Sequence, residues 1–201
     1  MFYKLIEKKR DEWLSSPNCT VKDVIQYIKR RGKMRDAQID AIKTFLYLKI
    51  VCGNQPLKQL FSQGFFNTLD IREEPLTDTV RNKLLADKAA AALYEYSKLK
   101  RKNGEQLSPK LEEYIKAHAE IIDYNQIINK IFYDVDYADY LYSLPMGAGK
   151  TYMMAAFIYL DLYVALNESD NPVFAHNFMI FAPSGLKASI LPSLKNIMRF
   201  D

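Results

Sequence analysis

The stretch SLPMGAGKTYMM, residues 143–154, decides how this chain is read. A loop of small residues separates an apolar run, DYLYSLP, from a run with helical spacing. Where bulky Cβ substituents are absent, backbone N–H groups are free to point inward, and a following helix adds its positive N-terminal end. A phosphate-binding loop also needs a lysine that reaches the β- and γ-phosphates and a neighbouring hydroxyl that ligates Mg²⁺. Here Met146 stands at the entry, Gly147, Ala148 and Gly149 supply the bends, Lys150 the cation and Thr151 the hydroxyl. The strict G-x-x-x-x-G-K-[ST] pattern departs at its first position, which is Leu144. The competing reading is a glycine-containing turn with a surface lysine.

The surroundings set the expected context. DYLYSLP reads as a short strand, and a helix is expected over 149–165. NESDNP reads as a turn-rich connector, and a second strand is expected over 177–182. Strand, loop, helix and strand in that order make a βαβ unit of a parallel sheet. The residues before it read as helical. TVKDVIQYIKRRG puts Val21, Val24, Ile25 and Ile28 on one face, with Thr20 to cap and Gly32 to stop it. RDAQIDAIKTFLYLKIVCG carries Ile39, Ile42, Leu46 and Ile50 on a stripe that ends near Gly53. TDTVRNKLLADKAAAALYEYSKLKRKNG predicts one long alanine-rich helix up to Gly104, and SPKLEEYIKAHAEII another, with Ser108 as N-cap and Pro109 at the first position.

Composition excludes several classes. With 49% apolar residues, 14 tyrosines and 11 phenylalanines, the chain has the means to fold rather than stay disordered. A net charge of +4 permits attraction to nucleic acid without demanding it. Cys19 and Cys52 have neither metal-ligand spacing nor a disulfide framework, which fits a reducing, cytoplasmic setting. No run approaches the roughly 18 apolar residues of a membrane span, so no membrane partner is expected. Asp134, Asp136 and Asp139 fit no calcium loop. His118 shares the stripe of Leu111, Ile115 and Ile122 and reads as packed rather than catalytic, and His176 has no partner at catalytic spacing.

Three stretches carry a family resemblance. LPMGAGKT resembles motif I of superfamily 2 helicases and translocases, whose loop often lacks the first glycine. MRDAQIDAIKTF resembles their upstream glutamine motif, in which a glutamine reads the adenine edge; Gln38 is the matching position. FMIFAPSGLKASILPSL resembles motif Ia, where a strand ends in Ala-Pro and the next residues touch a nucleic-acid backbone; Ala182, Pro183, Ser184 and Lys187 match. The nearest flavour is the DEAD/DEAH-type ATPase subunit of type III restriction enzymes.

The resemblance implies an α/β fold: a partial RecA-like P-loop domain of parallel strands with crossover helices. On this reading residues 1–53 are N-terminal helices with the glutamine motif, 54–136 a helical insertion, and 137–201 the start of the RecA-like domain. It implies ATP and Mg²⁺ as cofactors, held by Gln38, Met146, Gly147, Ala148, Gly149, Lys150 and Thr151, with Thr151 on the metal. It implies double-stranded DNA as partner, contacted through Pro183, Ser184 and Lys187, and a restriction or defence motor continuing beyond Asp201. The family's acidic Asp-Glu motif and second-lobe arginine motif are absent, so no catalytic residue is expected here. Roughly a hundred residues separate Gln38 from the loop, far more than is usual in the family. The rival is a helical nucleic-acid- or protein-binding module with a non-catalytic loop.

Overall fold

The computed structural model describes residues 2–101, 103–181, 185 and 187–200. They are almost entirely helical and belong to two compact units, Met1–Lys9 with Gln55–Asp139 and Arg10–Asn54 with Tyr140–Asp201. Helix α1 (Tyr3–Ser15) gives its first residues to one unit and its last to the other.

In the first unit, α4 (Leu57–Ser62), α5 (Asp78–Ala86), α7 (Pro109–His118) and α8 (Tyr124–Ile131) all pack on α6 (Lys88–Ser97). The sequence of α6, KAAAALYEYS, explains its central place. Ala89, Ala90, Ala91 and Ala92 are buried and project almost nothing, so neighbouring helices approach closely; Leu93 and Tyr94 fill the remaining space. Beside them, Phe2 stacks on Tyr96 at 4.3 Å between centroids and meets Phe61 edge-on at 4.5 Å. Phe61 in turn touches Phe66 and Phe132. The single long helix expected up to Gly104 is broken at Asp87, whose backbone is extended and whose carboxylate accepts from the Ala89 and Ala90 N–H groups at 3.0 and 3.1 Å. An aspartate that can bond the backbone just ahead of it starts a helix better than it sits inside one.

The second unit is built on α2 (Lys22–Gly32), α3 (Asp36–Ile50), α9 (Lys150–Asn167) and α10 (Lys187–Leu194). Its core gathers Ile25 and Ile28 of α2, Ile42 and Leu46 of α3, Ala155, Ala156 and Leu160 of α9, and Phe200. Phe45 and Phe157 stack at 4.4 Å. Gly32 is needed where it stands, because a Cβ there would lie 2.5 Å from the Phe200 ring. Tyr152 donates to the Gly32 carbonyl at 2.9 Å and Tyr27 to that of Phe200 at 2.8 Å.

The α/β expectation is overturned. Among the described residues there is no sheet; the only bridge is the isolated antiparallel contact of Lys100 with Gln106. Neither run expected as a parallel strand belongs to a ladder among the described residues: 140–144 alternates half-buried and exposed positions, and 177–181 is exposed throughout. A strand exists only through its neighbours, and two short runs without further partners do not make a stable sheet. Without parallel strands and crossovers the RecA-like assignment fails, and with it the likeness to superfamily 2 helicases and type III restriction ATPases.

Replacing the cap that splits α5 from α6 tests this account of the first unit. Asp87→Ala removes two bonds to helix-start amides and is expected to lower stability by about 1 kcal/mol, with Asp87→Ser recovering most of it. Urea unfolding followed by far-ultraviolet circular dichroism reads the difference.

Candidate functional site

Helix α9 begins at Lys150 out of a loop whose Gly147 and Gly149 both have φ of 76°, a left-handed conformation that glycine adopts without strain. The Ala148 N–H closes a turn on the Pro145 carbonyl at 3.2 Å. The N-cap and first turn of α3 hold this loop down from one side. Arg35 Nη1 donates to the Gly147 carbonyl at 2.8 Å. Gln38 Nε2 donates to the Gly149 carbonyl at 3.1 Å, while Gln38 Oε1 accepts from the Arg35 N–H at 2.9 Å. Gln38 is buried, and both ends of its amide are used within the protein. A Cβ on Gly149 would sit 2.6 Å from Gln38 Nε2, so this close approach also requires glycine.

The structure thus brings Gln38 against Gly147–Gly149, across 111 residues of sequence. Met146, Gly147 and Lys150 are exposed, and Ala148 and Thr151 half-buried. Pro183 and Ser184, with Ala182, lie outside the described residues; Lys187 opens α10. No group of three His, Cys, Asp or Glu among the described residues is placed to hold a metal ion. Asp134 and Asp136 both pair with Lys58 Nζ, at 3.1 and 2.6 Å, and these hydrogen bonds, Asp136 first, raise the lysine's pKa. His118 is exposed rather than packed, its ring 4.7 Å from that of Tyr114. Neither cysteine is poised as a nucleophile: both are buried, and burial pushes the Cys52 thiol up to about 12.

This setting overturns the reading of the chain as an ATP-dependent helicase or ATPase. A Walker A loop works at the end of a sheet strand, where an acidic strand neighbour can position metal and water. Here the loop joins a segment that belongs to no ladder to a helix, in a unit with no sheet among its described residues. Asp161, the one carboxylate inside α9, faces a lysine rather than the loop. No helix among the described residues is long and apolar enough to cross a membrane. Comparison with protein-family models, with curated proteins and with solved structures finds no match to this chain.

Two features escaped the sequence reading. The first is a buried ion pair: Lys49 Nζ lies 3.2 Å from Asp161 Oδ1, donates to the Val173 carbonyl at 2.8 Å, and sits over the rings of Phe45 and Phe174. The Ala175 N–H donates to the Asp161 carboxylate, whose pKa burial pushes up while Lys49 and this bond oppose the rise. The only signals were an aspartate interrupting an apolar run and a lysine late in an apolar helix. The second feature follows directly along the chain. His176–Phe181 is wholly exposed, with Met179 at 79% and Phe181 at 88%, although four of its six residues are large and apolar. Phe178 at 39% and Ile180 at 37% are the more sheltered alternates, which is the period-two pattern of an extended chain seated by one face. Among the described residues, none of 176–181 takes part in a backbone–backbone hydrogen bond.

Two substitutions test the site. Gln38→Ala leaves the Arg35 N–H and the Gly149 carbonyl without their partner; a loss of roughly 1–2 kcal/mol and faster amide exchange over 149–152 are expected. Asp161→Asn strands the Lys49 charge and should destabilise the second unit by roughly 3 kcal/mol. Lys49→Met with Asp161→Leu should restore much of that loss, because a hydrophobic pair replaces a desolvated ionic one.

Proposed function

We propose that this chain is a non-enzymatic, helical binding module whose second unit captures an extended segment of a partner protein along residues 176–181. The observation that carries the reading is the exposed run FMIF, preceded by a segment that Lys49 and Asp161 fasten to the helices. Exposed apolar runs of this length on a folded surface mark interaction sites. The open N–H and C=O groups favour a partner that adds as a strand, since main-chain hydrogen bonds then supply affinity and alternating side chains supply specificity. Met179 and Phe181 face outward for that partner, while Phe178 and Ile180 rest closer to the unit. A protein partner is favoured over nucleic acid because the run carries no lysine or arginine, and phosphate contacts need cations.

A labelled peptide of alternating valine and threonine is the direct probe, with duplex DNA and Mg·ATP as the competing ligands. The reading expects saturable anisotropy with the peptide and slowed amide exchange over 177–181. Both effects should vanish in the double variant Met179→Lys, Phe181→Lys, whose exposed positions leave the fold intact. Amides that the peptide does not protect would overturn it. So would preferential binding of duplex DNA that weakens steeply with salt, or binding of Mg·ATP that is lost in Lys150→Ala.

A further inference from the structure

Between α6 and α7 the chain turns back on itself at the basic run KLKRKNGEQ, residues 98–106. The helix expected to reach Gly104 ends at Ser97, and a short hairpin follows. The Arg101 N–H donates to the Glu105 carbonyl at 2.7 Å, the Leu107 N–H to that of Leu99 at 2.6 Å, and Lys100 bridges Gln106. At the tip stand Asn103 and Gly104, both exposed. Of the asparagines in the chain, only Asn103 is followed by glycine.

The tip favours ring closure between these two residues. The Glu105 N–H donates to Asn103 Oδ1 at 3.2 Å, which folds the side chain back along the main chain and draws electron density from its carbonyl carbon. A Cβ on Gly104 would meet nothing within 4 Å, so the nitrogen beside it is open to solvent and no side chain shields it. Lys100 and Arg101, both exposed, outnumber the single carboxylate of Glu105 in the hairpin, and positive surroundings favour an amide anion. The Gly104 N–H donates to the Arg101 carbonyl at 3.0 Å, and this bond must open before the nitrogen can attack. One exposed turn bond slows the reaction by no more than about tenfold, the Boltzmann factor of its net worth.

We propose that Asn103 is a site of spontaneous, irreversible modification that loosens the first unit with age. The Gly104 nitrogen loses its proton to hydroxide and bonds to Asn103 Cγ; the bond from Cγ to Nδ2 breaks, and the amide leaves as ammonia with a proton from water. A five-membered succinimide remains. Water then opens it at either carbonyl, giving aspartate, or isoaspartate with the main chain running through the side-chain carbon. The net exchange is one water in and one ammonia out, with no change of oxidation state. Either product adds a carboxylate, and isoaspartate also lengthens the main chain by a methylene. Hairpin register depends on loop length, so Gln106 loses its place opposite Lys100. Gln106 Nε2 donates to the Ser97 carbonyl at 3.0 Å and to the Glu112 carboxylate, which ties the end of α6 to α7. That tie weakens when the turn is lengthened.

The test holds the whole chain in mildly alkaline buffer and samples it by proteolysis and mass spectrometry, with isoaspartate counted by isoaspartyl methyltransferase labelling. Asn103 should react before any other asparagine, at a rate that rises about tenfold per pH unit, as the anion of a weak acid does. The folded rate should lie within about tenfold of the rate in urea. Asn103→Gln, an exposed change, should show no reaction at 103 over the same period, because closure then needs a six-membered ring. In the isoaspartate-bearing fraction, amide exchange at Leu107 should quicken while that of Ala89–Ala92 stays as it was. Earlier reaction at another asparagine would overturn the site, as would a folded rate outside the stated limit. Unchanged exchange at Leu107 in the modified protein would overturn the loosening of the first unit.

Discussion

Lys49 is the constraint on which the second unit turns. Burying an ammonium costs several kcal/mol unless a counter-charge and further acceptors surround it. Those partners come from distant parts of the chain: Asp161 from α9 and the Val173 carbonyl from the segment beyond it, with Phe45 and Phe174 closing over the cation. Helix α3 cannot keep its apolar face in the core without also placing this charge, so α9 and 173–175 must take up positions that answer it. The exposed run 176–181 starts from this fixed point.

The same helix organises the glycine loop at its other end. Arg35, the N-cap of α3, and Gln38, in its first turn, both direct donors at loop carbonyls, not at a vacant cradle. The positive end of α9 and the exposed Lys150 remain on the outside of this arrangement. What looks in one dimension like a phosphate-binding signature is in three dimensions the entry to a helix, stitched to its neighbour by a glutamine and an arginine.

Helices were legible where local rules suffice. The stripes of Ile25 and Ile28 and of Ile39, Ile42 and Leu46 do face the core, and Gly32 and Pro109 stand at the end and start of their helices. The break at Asp87 was hidden because strong helix formers on both sides, KLLA before it and KAAAAL after it, favour continuing the helix, whereas the side-chain bonds to Ala89 and Ala90 decide otherwise. The strand expectations failed for a different reason: DYLYSLP and the run 177–182 have residue types that suit strands, but a ladder depends on partners that no local window reveals. Gln38 and the loop were singled out by pattern and do meet, yet nothing in the pattern told which atoms of the amide would be occupied. The Lys49–Asp161 pair is a product of packing alone.

Helix α6 carries a consequence for how the first unit can vary. Its buried alanines have almost nothing to lose, so nearly every substitution other than glycine adds volume where other helices already converge. Added methylenes in a filled interior cost about 1–3 kcal/mol each site, and glycine costs helix propensity instead. Variation there is therefore one-sided. Sequences drifting from this one should hold a stripe of very small residues through 89–92 long after the surrounding aromatic contacts have been exchanged.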